Sequence, residues 1–215
     1  MGQYYTAYVV DDNGHVKSFS PHNIGCGAKL TENGYLSSPF VNSVLREILN
    51  APKRVAWVGD YIDCIENKEL ISRIKNYIKV DYGTDCFPQP LNFKNIEDYA
   101  GWYLLNHDKK ECINISKFVN KNARIMIGEY ELADGQKKKD LDIFCMSPLA
   151  LLTACGNGYG CGDYKGTDES EVGRWALDRI EFRKGSEAYA FNPMYHGYTL
   201  KIGRASCRER VCTCV

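Results

Sequence analysis

The chain opens on a run of β-branched and aromatic residues, Gln3-Tyr4-Tyr5-Thr6-Ala7-Tyr8-Val9-Val10, which predicts a strand. Asp11-Asp12-Asn13-Gly14 follows, and Asn-Gly supplies the positive φ angles of a tight hairpin. The return strand covers His15 to Ser20 and stops at Pro21. Gly25 and Gly27 mark a flexible crossing. Ser37 or Ser38 caps a helix that starts at Pro39. Phe40, Val41, Val44, Leu45, Ile48 and Leu49 then recur at helical spacing until Asn50-Ala51-Pro52 ends the pattern.

Arg54-Val55-Ala56-Trp57-Val58 is a compact apolar run before Gly59-Asp60, and it predicts a central strand buried on both faces. Leu70, Ile71, Ile74, Tyr77 and Ile78 give a second amphipathic helix over 67–79. Residues 81–98 read as loop. Two strands, Trp102 to Asn106 and Glu111 to Phe118, flank a polar turn at 107–110. Another pair, Arg124 to Leu132 and Leu141 to Met146, surrounds a charged loop from Asp134 to Asp140. Leu149 to Thr153 is apolar and leads into a glycine-rich stretch. Val172 to Phe182 reads as a last long strand.

Short strands with local returns outnumber helices, so the expected class is α+β, a single domain with a mainly antiparallel sheet and two amphipathic helices. No repeat and no linker divides residues 1–201. The expected core is Val41, Leu45, Ile48, Val55, Trp57, Val58, Ile74, Leu104, Ile127, Leu151, Leu152 and Trp175.

Composition narrows the class. The 215 residues are 44% hydrophobic and 25% charged, which is globular and excludes collagen and coiled coil. Lys+Arg and Asp+Glu are both 27, so a broad electrostatic footprint for nucleic acid is disfavoured. No run approaches the 18 or so apolar residues that would span a membrane. The start, Met1-Gly2-Gln3-Tyr4-Tyr5, lacks the basic and apolar regions of a signal peptide. Gly2 with Thr6 fits a myristoylation pattern only formally, because bulky tyrosines follow. Asn114-Ile115-Ser116 is a glycosylation sequon that matters only on secretion.

The last residues change the arithmetic. Residues 202–211, Ile-Gly-Arg-Ala-Ser-Cys-Arg-Glu-Arg-Val, look like a translated sequencing adapter. On that reading 202–215 is a non-native tail, and the natural sequence breaks off near Lys201. Without the tail the charge is −2 and seven cysteines remain of ten. An odd number of thiols forms no even disulfide framework, so a reducing cytoplasm with free, buried cysteines is expected.

The chemistry concentrates in Gly156-Asn157-Gly158-Tyr159-Gly160-Cys161-Gly162-Asp163-Tyr164. Alternate glycines let a backbone approach a ligand closely and present N–H groups to an anion. Gly156, Asn157, Gly158, Gly160, Gly162, Asp163 and Tyr164 are therefore the candidate ligand-binding residues. The stretch is neither a Walker loop, since Gly166 follows Lys165, nor a dinucleotide fingerprint. Its other reading is a structural turn.

Cys155 and Cys161 lack the close spacing of a zinc pair, so no metal and no cofactor is expected. As a nucleophile, Cys161 needs a base such as His107 or His196 brought near by folding. Asp60 and Asp63, at the end of the central strand, are weak catalytic candidates together with Asp163. They equally suit a turn or a helix cap. His22, in a loop, reads as solvent-exposed.

Met1 to Tyr5, Ser20-Pro21-His22, Gly27 to Leu30, Phe40 to Asn42, Val55 to Tyr61, Pro148 to Thr153, Gly156 to Gly158, Gly160, Gly162 to Tyr164 and Val172 to Ala176 together resemble a family of small proteins from bacteria and their mobile elements. The resemblance spans nearly all of 1–184. It implies one coherent domain and no established activity. Cys161 stands where that pattern leads one to expect glycine.

Two function classes follow. The first is a non-enzymatic binding or regulatory module whose partner is a protein or a small anionic ligand. The second is a small hydrolase or transferase, dependent on metal or phosphate, that uses Asp60, Asp63 and Asp163. The test that separates them is whether the loops after Gly59 and after Gly156 converge.

Overall fold

The computed structural model describes residues 3–64, 68–80, 84–85, 89–122, 124–131, 137–156, 171–185 and 191–193, with side chains described over most of these but not over 120–144. The predicted core residues, Ile127 excepted, are buried; the Ile127 side chain lies outside the described residues.

β1 (Tyr5–Val10) and β2 (Val16–Phe19) form the expected opening hairpin. Its turn is longer than an Asn-Gly hairpin requires. Asp11 N–H donates to His15 O at 3.1 Å and Gly14 N–H to Asp11 O at 3.0 Å. Within this turn only Gly14 has a positive φ, 82°. The Asp11 side chain decides this: Oδ1 accepts the N–H groups of Asn13 and His15, each at 2.9 Å, and holds a wider loop.

A short α1 (Leu30–Asn33) precedes α2 (Pro39–Glu47). Ser38 caps α2, its Oγ accepting from Phe40 N–H at 3.1 Å, and Pro39 occupies the first turn as expected. β3 (Lys53–Gly59) follows, then α3 (Lys68–Val80) and a two-residue β4 (Thr84–Asp85). β5 (Trp102–Asn106) and β6 (Glu111–Asn114) pair antiparallel.

The expected strand from 111 to 118 ends at Asn114, and α4 (Ile115–Asn122) begins there. Asn114 Oδ1 accepts Lys117 N–H at 2.9 Å, so the local side-chain bond caps a helix before the strand can continue. Ile115 and Val119, four residues apart, are both buried.

β7 (Arg124–Glu131) and β8 (Lys137–Phe144) form a separate two-stranded sheet. Residues 137–140, expected in a charged loop, belong to β8, where Lys137 and Lys139 sit opposite Glu131 and Glu129.

α5 (Pro148–Thr153), β9 (Ala154–Cys155), β10 (Arg179–Lys184) and β11 (Asn192–Pro193) complete the described elements. The long strand expected over 172–182 is shorter. Residues 171–178 form turns, with Leu177 at φ 61°, and the strand starts at Arg179. Gly173 N–H donates to Leu151 O at 3.0 Å and Trp175 N–H to Leu152 O at 2.7 Å. This segment is held by carbonyls at the end of α5 instead of by a neighbouring strand.

The main sheet has nine strands among the described residues, in the order β11-β6-β5-β10-β3-β1-β2-β4, with β9 also on β3. Pairs β1–β2, β1–β3, β3–β10, β5–β10 and β5–β6 are antiparallel; β3–β9, β2–β4 and β6–β11 are parallel. The class is α+β with a mixed, mostly antiparallel sheet. Five helices are described where two were expected.

β3 is central. Val55 and Trp57 enter the main core with Phe40, Leu45 and Leu149. Ala56 and Val58 enter a second cluster with Ile74 of α3. The alternation of a strand therefore buries both faces, with α2 and α5 on one side and α3 on the other. Phe40 stands edge-on to Trp57, centroids 5.1 Å apart.

Candidate functional site

β9 runs parallel to β3, with Trp57 opposite Ala154 and Val58 opposite Cys155. Both chains leave at the same end, so Gly59 and Gly156 emerge side by side. The two loops that sequence reasoning asked about start from neighbouring strand ends, and the second of them lies outside the described residues beyond Gly156. β10 takes the other end of the same β3 edge, antiparallel, through Arg179 opposite Arg54. The direction of pairing along that edge of β3 thus changes next to the glycine roots.

The N-terminal segment forms the floor. Tyr5 pairs with Gly59. One residue out, Asp60 N–H donates to Tyr4 O at 2.9 Å, and Tyr4 N–H donates to Asp60 Oδ1 at 3.1 Å. Gln3 and Tyr5 are buried, and Tyr5 Oη donates to Gln3 Oε1 at 3.1 Å. A Cβ at Gly59 would overlap the Gln3 side chain, and one at Gly156 would overlap the Tyr5 hydroxyl. These two glycines are required by close approach: the amide and the phenol occupy the room their side chains would need.

Asp60 and Asp63 have partners of a structural kind. Asp60 extends the β1–β3 ladder by its bond to Tyr4 N–H. Asp63 lies in a 3-10 turn over Ile62–Cys64, exposed, and pairs with Lys75 of α3. That turn replaces the extended chain on which the two carboxylates would share a face. Asn157, Gly158, Gly160, Cys161, Gly162, Asp163, Tyr164 and His196 lie outside the described residues. His22 is exposed, as expected.

Burial pushes the thiols of Cys145 and Cys155 up to about 12. Both stay protonated at neutral pH, and a thiol is a poor nucleophile and metal ligand in that form. Among the described residues no group of three His, Cys, Asp or Glu side chains is placed to hold a metal ion.

A second polar cluster lies around the turn between β5 and β6. Asp108 accepts from Arg54 Nη1 at 3.1 Å and Arg179 Nε at 2.8 Å. Lys109 Nζ donates to Asp178 Oδ2 at 2.7 Å, and Trp175 Nε1 donates to Glu111 Oε2 at 2.9 Å. Glu181 is 1% exposed, with His107 Nε2 at 2.7 Å. Arg183 Nε lies 2.6 Å from its Oε1 as a charge contact without hydrogen-bond alignment.

Sequence reasoning missed Glu181. The available signal was its place between Ile180 and Phe182, which puts it on the opposite face of β10 from two core residues. The cations and carboxylates of this cluster are matched among themselves, which is the arrangement of a fastening and leaves little charge for a ligand.

No known family, no curated protein and no solved structure matches the chain.

Proposed function

We propose that the chain is a non-enzymatic binding module, encoded on mobile DNA and acting in the cytoplasm, that takes its ligand where the glycine-rich segment leaves the β3–β9 seam. The observation that carries this reading is the parallel exit of Gly59 and Gly156 over the buried Gln3–Tyr5 pair. Ligands of open sheets bind beyond the carboxyl ends of parallel strands, where the strand order turns. A small anion is the favoured ligand class, because backbone N–H groups of a glycine-rich segment need no charged side chain to receive one.

The bonds of Asp60 to Tyr4 and of Asp63 to Lys75 support this reading over the hydrolase reading. Carboxylates already held in this way are poorly disposed to share a metal.

Titration calorimetry with inorganic phosphate and with a nucleoside triphosphate tests the proposal. Heat of binding is expected for the unsubstituted chain. It should weaken at least tenfold in Gly156→Val, whose side chain displaces the Tyr5 hydroxyl. No heat from either probe, or equal heat in the variant, would remove the seam as a ligand seat.

A further inference from the structure

The carboxylates around the β5–β6 turn are matched, but one nitrogen there is not. His107, whose side chain is 24% exposed, meets Glu181 Oε2 through Nε2 at 2.7 Å. Among the described residues no group bonds to its Nδ1, and that atom is not shut away from solvent.

The geometry fixes what Nδ1 carries. A carboxylate only accepts hydrogen bonds, so the proton of a neutral ring sits on Nε2 and the lone pair on Nδ1. Glu181 is 1% exposed, so water does not compete for its place against the ring. Arg183 Nε, 2.6 Å from Glu181 Oε1, balances its charge. The ring itself is seated: Phe191 stands edge-on to it, centroids 5.1 Å apart, and His107 N–H donates to Arg179 O at 2.9 Å. At the far end of the same turn, the exposed Lys110 sets its Nζ over the Phe191 ring, 5.7 Å from the centroid. Lys110 has no carboxylate partner among the described residues.

We propose that His107 is a phosphorylation site, whose Nδ1 accepts a phosphoryl group from a small donor of the acyl phosphate or phosphoramidate class. Glu181 is the positioning residue, and the ammonium of Lys110 balances the incoming charge. Phosphoryl transfer asks chiefly for positioning and charge, so an open nitrogen suffices without a deep cleft. The lone pair of Nδ1 attacks phosphorus and the N–P bond forms. The bond from phosphorus to the leaving group breaks. With zwitterionic phosphoramidate the leaving group is ammonia, which takes the bonding pair, and no proton has to move. The imidazolium so formed keeps its Nε2 proton on Glu181, whose negative charge stabilises it. This site stands apart from the β3–β9 seam and does not rest on a ligand there.

His15 and His22 are the internal comparison. His15 meets Asp11 Oδ2 at 3.2 Å, but both side chains are open to water, at 76% and 35%. His22 is exposed, with no side-chain bond among the described residues. Accessibility alone therefore favours those two, and orientation by a buried carboxylate favours His107.

Potassium phosphoramidate on the full chain, in mildly alkaline buffer, is the experiment. Peptide mass spectrometry locates the label and phosphorus NMR tells Nδ1 from Nε2. His107 is expected to be labelled on Nδ1 at least tenfold faster than His15 or His22. In urea, where Glu181 no longer meets the ring, that excess should vanish. Glu181→Gln, whose amide can turn an N–H toward Nε2, should slow labelling of His107 about tenfold and let Nε2 share it. The rates at His15 and His22 should not change. Label on Nε2 in the unsubstituted chain would overturn the proposal. So would a rate at His107 no greater than at the other two, or a Gln variant labelled like the parent. Should Glu181→Gln not fold, the native and urea-unfolded rates of the unsubstituted chain decide: equal rates at His107 sink the idea.

Discussion

Trp57 shows how much one side chain contributes. It is fully buried in the middle of β3, packed edge-on by Phe40. Trp57→Ala should cost about 3–5 kcal/mol as a large core truncation. Trp57 Nε1 is buried without a hydrogen-bond partner, a defect that costs about 1–3 kcal/mol. Trp57→Phe removes that donor and keeps a ring against Phe40, so it should cost much less than the alanine change. Urea unfolding of both variants measures the difference; equal losses would show that ring packing contributes little here. Gln3 makes the complementary point. Nothing in its sequence neighbourhood marks it as buried, yet it fills the space that Gly59 and Gly156 leave open.

At the scale of elements, the turn between β5 and β6 fastens distant parts of the chain. Asp108 joins Arg54 of β3 to Arg179 of β10, and its Oδ2 also accepts Arg179 N–H at 3.0 Å. Burial works to raise the Asp108 carboxyl. The hydrogen bonds and charge of Arg179, with the charge of Arg54, outweigh it and hold the group below its ordinary value of 3.8. A depressed carboxyl contributes stability that is present above its unfolded value and lost as pH falls through the folded one. Asp108→Ala should therefore cost about 1–2 kcal/mol at neutral pH. The gap to the unsubstituted chain should close as pH drops below 3.8. Denaturant melts at pH 7 and in strong acid measure both; a gap that persists in acid would mean the side chain acts by packing.

At the scale of the whole molecule, one sheet with helices on both faces carries the described fold, and Trp57, Ile180 and Phe182 share a single core cluster. Among the described residues no helix is long and apolar enough to cross a membrane. Residues 202–215, read from sequence as adapter-derived, hold only Ile202, Val211 and Val215 as larger aliphatics. That is too little apolar surface to offset a backbone-ordering cost of about 1–2 kcal/mol per residue. Deleting them should leave the melting temperature unchanged. A clear drop on differential scanning calorimetry would make the segment part of the fold.

The sequence by itself determined the elements whose signals are local. The apolar run at 54–58, the Ser38–Pro39 helix start and the helical spacing from Phe40 to Leu45 each depend on neighbours a few residues away, and each is found. It misjudged Glu111 to Phe118 and Val172 to Phe182, where β-prone composition was overruled. Asn114 caps a helix in the first, and α5 carbonyls bind the backbone of the second. Only the tertiary structure decided the candidate seat. Gly59 and Gly156 are nearly a hundred residues apart, and no periodicity relates them. Their meeting depends on β9 choosing the edge of β3 beside β10, a choice made by long-range hydrogen bonding and by the buried Gln3–Tyr5 pair that both glycines accommodate.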